Sequence, residues 1–192
     1  MIGTNSTMSF KTPVGWWAKL TAPLWRRQEH HLFMQVASGV RYYDLRITYR
    51  KPGMFIRHQY YCHGSHRFVL EGDDEQNFLD VLTLLQNAGA IVSITLENSN
   101  AEDRHIFRSL QWHEIFKGSV LLTRIRTGKH TYDDVFRSTD MPEIIDRTYH
   151  WSVKRPFLTP KAWANKNNII TREEFLNNKI YLYDYYNLIQ EV

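Results

Sequence analysis

The stretch Trp25–Ile47, WRRQEHHLFMQVASGVRYYDLRI, ends in a segment whose alternation is typical of a β-strand. Apolar and charged side chains alternate there, so Tyr43 and Leu45 lie on one face of the strand and Asp44 and Arg46 on the other. An acid and a guanidinium are costly to bury against an apolar core. The pattern therefore predicts a strand with one core face and one polar face that belongs to a site.

Short β-branched or apolar runs alternate with helical patterns along the chain, which is typical of a parallel sheet with helices outside it. Helices are predicted over residues 28–37 and 74–87, and in the second of these Phe78, Val81 and Leu82 recur at helical spacing. Strands are predicted near residues 1–5, 41–48, 55–62, 90–97, 118–125, 148–153 and 179–184.

This order of elements predicts fold class α/β and a small or incomplete TIM (β/α)₈-type barrel. A complete barrel of this type takes about 250 residues, whereas this chain has 192. With 43% hydrophobic and 14% aromatic residues, the chain can bury a sizeable core, so residues 1–192 are expected to form a single domain. Function in such barrels lies at the carboxyl ends of the strands.

The charge balance and the cysteine count set wider limits. The net charge of +4 favours anionic partners, but the basic residues are scattered among 20 acids. No basic stripe interleaved with aromatics is present, so nucleic acid is not the expected partner. A lone Cys62 excludes an intrachain disulfide. With no signal-peptide pattern and no apolar run of membrane-spanning length, the protein is expected to be cytoplasmic or particle-associated.

Two segments marked by proline and glycine are interpreted as loops, namely Pro13–Pro23 and Lys51–Gly53. The first carries Trp16 and Trp17, whose side chains either pack inside the protein or contact lipid headgroups or a sugar ring. The sequence alone does not distinguish packing from ligand contact. Residues 127–178 give no functional prediction.

Polar residues recur where predicted strands end: Arg46 on the second, His63 after the third and Glu97 on the fourth. Cleavage of a phosphodiester needs a base, an acid and a cation that stabilises charge on phosphorus. Arg46 suits the last role because its fork matches phosphate oxygens, and Asp44 can hold Arg46 or a histidine in place. His63 suits the acid. The alternatives are a structural Asp44–Arg46 pair and a loop histidine.

The same residues carry a family resemblance. Trp25, Gln28 and Gln35 are followed by GVRYYDLR at 39–46, then by Cys62-His63-Gly64 and by ITLEN at 94–98. This order resembles the X domain of phosphatidylinositol-specific phospholipases C over roughly the first 100 residues. The resemblance implies a phospholipase C-like phosphodiesterase barrel, in which the positions of His63 and Arg46 serve as general acid and phosphate clamp and that of Asp44 carries an acid.

The first catalytic motif departs from this family. Its members place a general-base histidine after the first strand, where this chain reads Gly3-Thr4-Asn5-Ser6. Asn5 thus stands in place of the histidine, and an amide has no useful basicity near neutral pH. Loss of a general base slows a reaction by about 10² to 10⁴. Either another histidine substitutes for it or the site is degenerate.

Further residues are assigned by the resemblance as substrate-binding. Glu97 matches a calcium-binding glutamate of the eukaryotic enzymes, but Arg46 stands where those enzymes have an acid, as in the metal-independent bacterial type. No cofactor is therefore expected, with calcium at Glu97 as the alternative. Arg124 corresponds to a substrate-contacting arginine, with Arg126 as the alternative register.

The last predicted strand is followed by Asp184 and Tyr186, which resemble the aspartate and aromatic residue that end the family's late strands. Asp184 is expected to face the barrel interior near Asn5. Without a histidine partner, it is expected to bond to Asn5 or to an arginine.

Two functions follow from the sequence. The first is a phospholipase C-like phosphodiesterase that acts on a phosphoinositide or a related headgroup, with impaired or altered chemistry. Its expected partners are a phosphate-bearing small molecule or phospholipid headgroup and a membrane surface. The second is an inactive barrel that serves as a binding or structural subunit of a larger assembly, such as a virus particle. A phosphate-sized pocket favours the first, and a filled barrel mouth favours the second.

Overall fold

A curved nine-stranded sheet organises the protein. The computed structural model describes residues 1–4, 7–10, 16–50, 58–63, 66–68, 74–117, 120–128, 131–148 and 159–191. Strands of the main sheet are β1 (Ile2–Thr4), β2 (Tyr42–Arg50), β3 (His58–His63), β4 (His66–Phe68), β5 (Ile91–Leu96), β6 (Leu121–Arg126), β7 (Tyr132–Arg137), β8 (Ile144–Asp146) and β10 (Ile180–Tyr183). A separate small sheet pairs β9 (Ile169–Ile170) with β11 (Gln190–Glu191).

Helices cover one face of this sheet and connect its strands. They are α1 (Trp16–Trp25), α2 (Leu32–Ala37), α3 (Asp74–Asn87), α4 (Ala101–Ser109), α5 (Trp112–Ile115), α6 (Pro160–Asn167) and α7 (Arg172–Leu176), with 3₁₀ turns at Thr7–Phe10 and Tyr186–Leu188. Within the part of the chain that the structure describes, no helix is both long and apolar enough to cross a bilayer.

The strand order is that of an incomplete barrel. Neighbours in the sheet run β7-β6-β5-β2-β1-β10-β8, and every pair from β6 to β8 is parallel. Strand β7 closes one side antiparallel to β6. The predicted class, an α/β protein with a small or incomplete TIM-type barrel, is confirmed.

The outer face of the sheet carries the main core. Side chains of β2, β5 and β6 pack there against helices α3 and α4, and each fully buried aliphatic residue contributes roughly 1.5–3 kcal/mol. The fully buried members of this core include Tyr43, Leu45, Ile47, Leu85, Ile94, Leu96 and Phe107. This packing fixes the strand faces, so the alternate residues must point into the barrel.

The floor of the barrel interior is apolar and tightly packed. Tyr42, Ile180 and Leu182 form it, together with partly buried residues such as Ile144. Gly3 lies among them, where an added Cβ would come within 2.9 Å of Tyr42 Cδ1 and 3.0 Å of Ile180 Cγ2. The first strand therefore needs glycine to approach its neighbours, and polar side chains begin only above this layer.

The third strand corrects one prediction. It was expected as a parallel barrel strand over 55–62, but β3 runs antiparallel to β2, with Tyr61 opposite Ile47 and His58 opposite Arg50. Only residues 51–57 separate the two strands, whereas a parallel crossover takes a dozen or more residues. The short connection therefore indicates, from the sequence alone, that the two strands pair antiparallel.

One helix prediction is confirmed and another is wrong in its first residues. The helix over 74–87 is confirmed with the same bounds, whereas the one over 28–37 begins only at Leu32. The residues before it bond elsewhere: the backbone amides of Arg27 and Gln28 both donate to Ser9 Oγ at 2.9 Å. The predicted loop Pro13–Pro23 is wrong from Trp16 onwards, because α1 runs from Trp16 to Trp25 with its proline in the last turns.

The late strands agree in part. Strand β10 corresponds to the prediction over 179–184. The strand predicted over 148–153 falls almost wholly outside the described residues, and the strand that pairs with β10 is instead β8, at Ile144–Asp146.

Candidate functional site

The barrel places polar residues of three parallel strands side by side, near the end of the stretch over which β2, β5 and β6 pair. Arg46 on β2 is level with Thr95 on β5, and Thr95 is level with Arg124 on β6. Partners in a parallel pair point to the same face, so all three side chains enter the barrel interior. Asp44 lies one layer below Arg46.

Asp44 and Arg46 form the centre of this site. Arg46 Nε donates to Asp44 Oδ2 at 2.7 Å, and Asp44 is completely buried. The other carboxylate oxygen, Asp44 Oδ1, is 3.7 Å from Arg124 Nη2. Asp44 therefore orients one guanidinium directly and attracts a second.

Glu97 connects two more guanidiniums. Its Oε1 accepts from Arg46 Nη1 at 3.2 Å and from Arg126 Nη1 at 2.9 Å, and the glutamate is only 1% exposed. Sequence reasoning named Arg126 only as an alternative to Arg124. Their alternation along β6 gave the signal that both face the barrel.

Arg124 is held by neutral partners. Its Nε donates to Thr95 Oγ1 at 2.9 Å, and its guanidinium carbon lies 4.5 Å from the centre of the Tyr132 ring. A guanidinium over an aromatic face is stabilised by the ring quadrupole. Together with Asp44 Oδ1 at 3.7 Å, these contacts fix the position of Arg124.

We call Asp44, Arg46, Glu97, Arg124 and Arg126 the strand-end cluster. Its three guanidiniums and two carboxylates leave a net charge of +1. Both carboxylates are buried, whereas the arginines are 12%, 19% and 25% exposed, in sequence order. The positive ends of the ion pairs thus face the mouth, which is the polarity that an anion site needs.

The two buried carboxylates stabilise the charged form of Arg46. Burial by itself would lower the pKa of Arg46, but Asp44 and Glu97 outweigh it and raise the pKa of the guanidinium above its ordinary value. Arg46 therefore stays charged. On the floor below, burial and then the charge of Asp44 raise the pKa of Tyr42 to about 12.

The two remaining catalytic predictions lie at the edge of the described structure. Asn5 is outside the described residues. His63 ends β3, which runs back along β2, so its backbone returns towards the level of Asp44 and Arg46. The hairpin partner of His63 is His66. Their proposed roles remain predictions.

Asp184 and Tyr186 belong to a second polar network. Asp184 is fully buried, and its Oδ2 is 2.7 Å from Nη1 of Arg27, which is also buried. Of the two partners expected for Asp184, an arginine is present. The Tyr186 hydroxyl lies 2.9 Å from His30 Nδ1, outside the strand-end cluster.

This second network ties the last barrel strand to the segment before α2. Gln28 Nε2 donates to the Tyr183 carbonyl at 3.1 Å, and Gln28 Oε1 accepts from the Tyr186 amide at 3.3 Å. We call Ser9, Arg27, Gln28, Asp184 and Tyr186 the closing network. Sequence reasoning missed Arg27, although the buried aspartate without a histidine had indicated that an arginine partner was one alternative.

The donor set of the strand-end cluster does not suit calcium. Calcium takes six to eight oxygen ligands, whereas Glu97 is already engaged by two guanidiniums that would repel a cation. Among the described residues, no three histidine, cysteine, aspartate or glutamate side chains come together as a metal site.

The fold and the cluster together define an incomplete α/β barrel with an arginine-rich strand end. No protein-family model and no curated protein sequence matches the chain. Two solved structures are similar to it.

One is phosphatidylinositol-specific phospholipase C from Listeria monocytogenes, with TM-score 0.54 and 17% identity over 96% of this chain and 87% of that one. The other is a variant of phosphatidylinositol-specific phospholipase C from Staphylococcus aureus, with TM-score 0.58 and 13% identity over 96% of this chain and 85% of that one. At such identities the likeness establishes the fold.

Proposed function

We propose that this protein is a phospholipase C-like phosphodiesterase that binds the phosphodiester of a phosphoinositide or a related headgroup at the strand-end cluster. The observation that carries the proposal is the set of three guanidiniums on β2 and β6, oriented by two buried carboxylates. A phosphodiester carries one negative charge, which matches the net charge of +1. The fold shared with two phospholipases C supports the same substrate class.

In this mechanism the cluster holds the phosphate. Arg46 and Arg124 donate to the two non-bridging oxygens and stabilise the charge that builds on them as a substrate hydroxyl attacks phosphorus. Asp44 and Glu97 are positioning residues that keep the forks in place. Because these donors are oriented before substrate binds, little reorganisation is needed in the transition state.

Proton transfer is the step of the proposed mechanism that differs from that of an enzyme with an intact base. A new phosphorus–oxygen bond forms as the bond to the leaving alcohol breaks, and His63 donates a proton to the departing oxygen. The attacking hydroxyl loses its proton to water, because the Asn5 amide cannot accept it. Turnover is therefore expected to fall about 10² to 10⁴ below that of an enzyme with an intact base.

The surface of the protein supports contact with a lipid layer. Trp16, Trp17 and Leu20 on α1 are 75%, 60% and 66% exposed, and Phe33 on the nearby α2 is also exposed. Tryptophans presented in this way are typical of groups that enter the headgroup region of a membrane. Of the two readings of these tryptophans, the exposure favours lipid contact.

Asp184 and Tyr186 are assigned a supporting role in this proposal. Their partners are Arg27 and His30, so they hold the end of β10 and the 3₁₀ turn that follows it. Substrate contact is assigned to the strand-end cluster.

The test is a turnover assay with phosphatidylinositol and with a chromogenic phosphodiester, each with and without calcium. His63→Ala should lower turnover about 10²-fold or more, because the leaving group loses its acid. His113→Ala is the matched control, since His113 is an exposed helix residue. Calcium should have no effect. Equal turnover of the two variants would refute the role of His63.

A non-catalytic barrel is the second candidate, and the observation that favours it is the asparagine in place of the base. The same cluster would then bind phosphate without turnover. Asn5→His separates the two: a gain of about 10²-fold or more indicates that the rest of the machinery is intact. Phosphate binding without any gain in turnover would favour the binding or structural role.

A further inference from the structure

The structure contains a cationic cleft away from the strand-end cluster. A cleft of about 420 Å³ lies between α1 and α6, and its floor is the buried Tyr185. Its polar and charged walls come from Lys19, Arg26, Glu29, Thr159 and Lys161. The volume falls within the range of sites for small ligands, about 300–1,000 Å³.

The charges of the cleft are incompletely balanced. Glu29 is already bound by Lys161, whose Nζ lies 2.7 Å and 3.0 Å from its two carboxylate oxygens. The remaining cations of the lining are Lys19 and Arg26. With three cations and one carboxylate, the cleft carries a net charge of +2.

Arg26 supplies the observation that indicates a ligand. Its Nε is buried, and no acceptor for it lies within hydrogen-bond distance among the residues that the structure describes. A buried charged donor without an acceptor is more costly than a neutral one. Because Arg26 also lines the cleft, an anion bound there would stabilise the charge of its guanidinium.

Hydrogen bonds fix the backbone at Arg26. The Arg26 amide donates to the Ala22 carbonyl at 2.8 Å and continues the turn of α1, and the Arg26 carbonyl accepts from the Tyr185 hydroxyl at 2.8 Å. The next residue, Arg27, is held in the pair with Asp184. Two adjacent arginines thus have different environments, one paired in the interior and one directed to the cleft.

We propose that the α1–α6 cleft is a second anion site, which binds a phosphate-bearing group through Arg26, Lys19 and Lys161. This goes beyond the proposed function, because the cleft lies outside the strand-end cluster and takes no part in the chemistry. A tetrahedral phosphate offers acceptors to several donors at once and matches a guanidinium fork.

The helical spacing of α1 relates this site to a lipid surface. Lys19, Ala22 and Arg26 follow one another at i, i+3 and i+7 and share the face that lines the cleft. Trp16 and Leu20 are one turn apart on the neighbouring, exposed face. A bound phosphate would therefore lie beside the apolar surface of the same helix, whether it comes from a lipid headgroup or from a free phosphate.

The first experiment follows the Nε–Hε resonance of Arg26 by NMR during titration with inorganic phosphate, with potassium chloride at equal ionic strength as the control. The resonance should shift with phosphate in a saturable manner and stay in place with chloride. An unchanged resonance, or an equal shift with chloride, would overturn the proposal. This measurement uses the native chain and does not depend on a variant that folds.

Variants then assign the binding. Arg26→Gln should weaken phosphate binding at this site about tenfold or more, because a charge-assisted hydrogen bond is lost. Arg26→Lys keeps the charge and should recover only part of the affinity. Lys117→Gln removes an exposed lysine elsewhere and should have no effect. An equal loss in Arg26→Gln and Lys117→Gln would reduce the site to general surface charge and refute it.

Two further arms identify the source of the phosphate and separate the two sites. Binding to equimolar phosphatidylcholine–phosphatidylglycerol vesicles should fall in Arg26→Gln if the ligand is a lipid headgroup, and stay unchanged if it is a free phosphate. Arg124→Gln should weaken binding at the strand-end cluster and leave the Arg26 shift intact. Failure of the proposed barrel function therefore leaves a different signature from failure of this proposal.

Discussion

Two buried ion-pair systems at the same end of the barrel differ in composition and exposure. The closing network pairs one arginine with one aspartate, and both are nearly inaccessible to solvent. The strand-end cluster has an excess of arginine, and its guanidiniums reach solvent while its carboxylates do not. A charge system that is neutral and closed holds structure, whereas one with an unbalanced and accessible charge is prepared for a partner.

The neutral partners of the two systems support this reading. In the closing network, side chains bond mostly to backbone groups: Ser9 accepts from two amides, and Gln28 bonds to β10. Such bonds fix the path of the chain. In the strand-end cluster, the charged groups bond mostly to one another, so their orientation is defined while the chain path depends on the outer core.

The largest expected effect tests the closing network. Asp184→Ala should lower the free energy of unfolding by about 3–5 kcal/mol, because it removes the carboxylate that pairs with the buried Arg27 guanidinium. Urea denaturation measures it. Arg137→Gln is the control, since its pair with Asp134 is half exposed and contributes about 0–1 kcal/mol.

A double replacement sharpens that test. Arg27→Met combined with Asp184→Ala removes both charges, so it should restore much of the stability lost in Asp184→Ala. If the double variant is as unstable as the single one, the pair has a role beyond neutralising its own buried charges.

The next effect concerns the strand-end cluster. Arg124→Gln should weaken binding of inorganic phosphate in the barrel about tenfold, and it should change the free energy of unfolding by about 1 kcal/mol or less, because Arg124 is partly exposed. Isothermal titration calorimetry and urea denaturation measure the two quantities. A large loss of stability with unchanged phosphate binding would show that Arg124 stabilises the fold, as Arg27 does, and does not bind the anion.

The pH dependence of stability tests the barrel floor. Because the pKa of Tyr42 is raised from 10.0 to about 12, the unfolded chain loses its phenolic proton before the folded one. The contribution is fully present below pH 10 and is lost as pH rises towards 12. Between about pH 9 and 11, Tyr42→Phe should therefore lose about 1 kcal/mol less stability than the native protein. Equal slopes for the two would show that Tyr42 is accessible to solvent.

The smallest expected effect tests whether Tyr186 lies outside the strand-end cluster. Tyr186→Phe should lower the free energy of unfolding by about 0.5–1 kcal/mol through loss of its hydrogen bond to His30. Phosphate binding should stay unchanged. A clear loss of affinity in this variant would place Tyr186 in the binding site and remove the boundary between the two systems.

The sequence predicted the barrel strands well where alternation and length agreed. Tyr42–Thr48 and Ile91–Leu96 each have one apolar face, and a one-residue slip would expose it, so their faces are determined locally. The direction of β3 was available from the short connection after Arg50. The helix at Trp16–Trp25 was not predicted, because its large apolar residues Trp16, Trp17 and Leu20 are exposed and give no core periodicity.

The candidate site could be predicted in part for a similar reason. Asp44, Arg46 and Glu97 are fixed to the barrel interior by strand parity, and Arg124 and Arg126 follow from the same rule. Their mutual distances depend on the register between β2, β5 and β6. The pairing of Arg27 with Asp184 spans most of the chain, and no local pattern contains it.

By itself, the sequence determined which faces of the strands are apolar and that an acid and several arginines point into the barrel. Tertiary structure alone decided which charges neutralise one another, which remain in excess, and that Arg26 faces a cleft while Arg27 is buried. The physical reason is range: alternation is set by adjacent residues, whereas the energy of a charge depends on every group that packs around it.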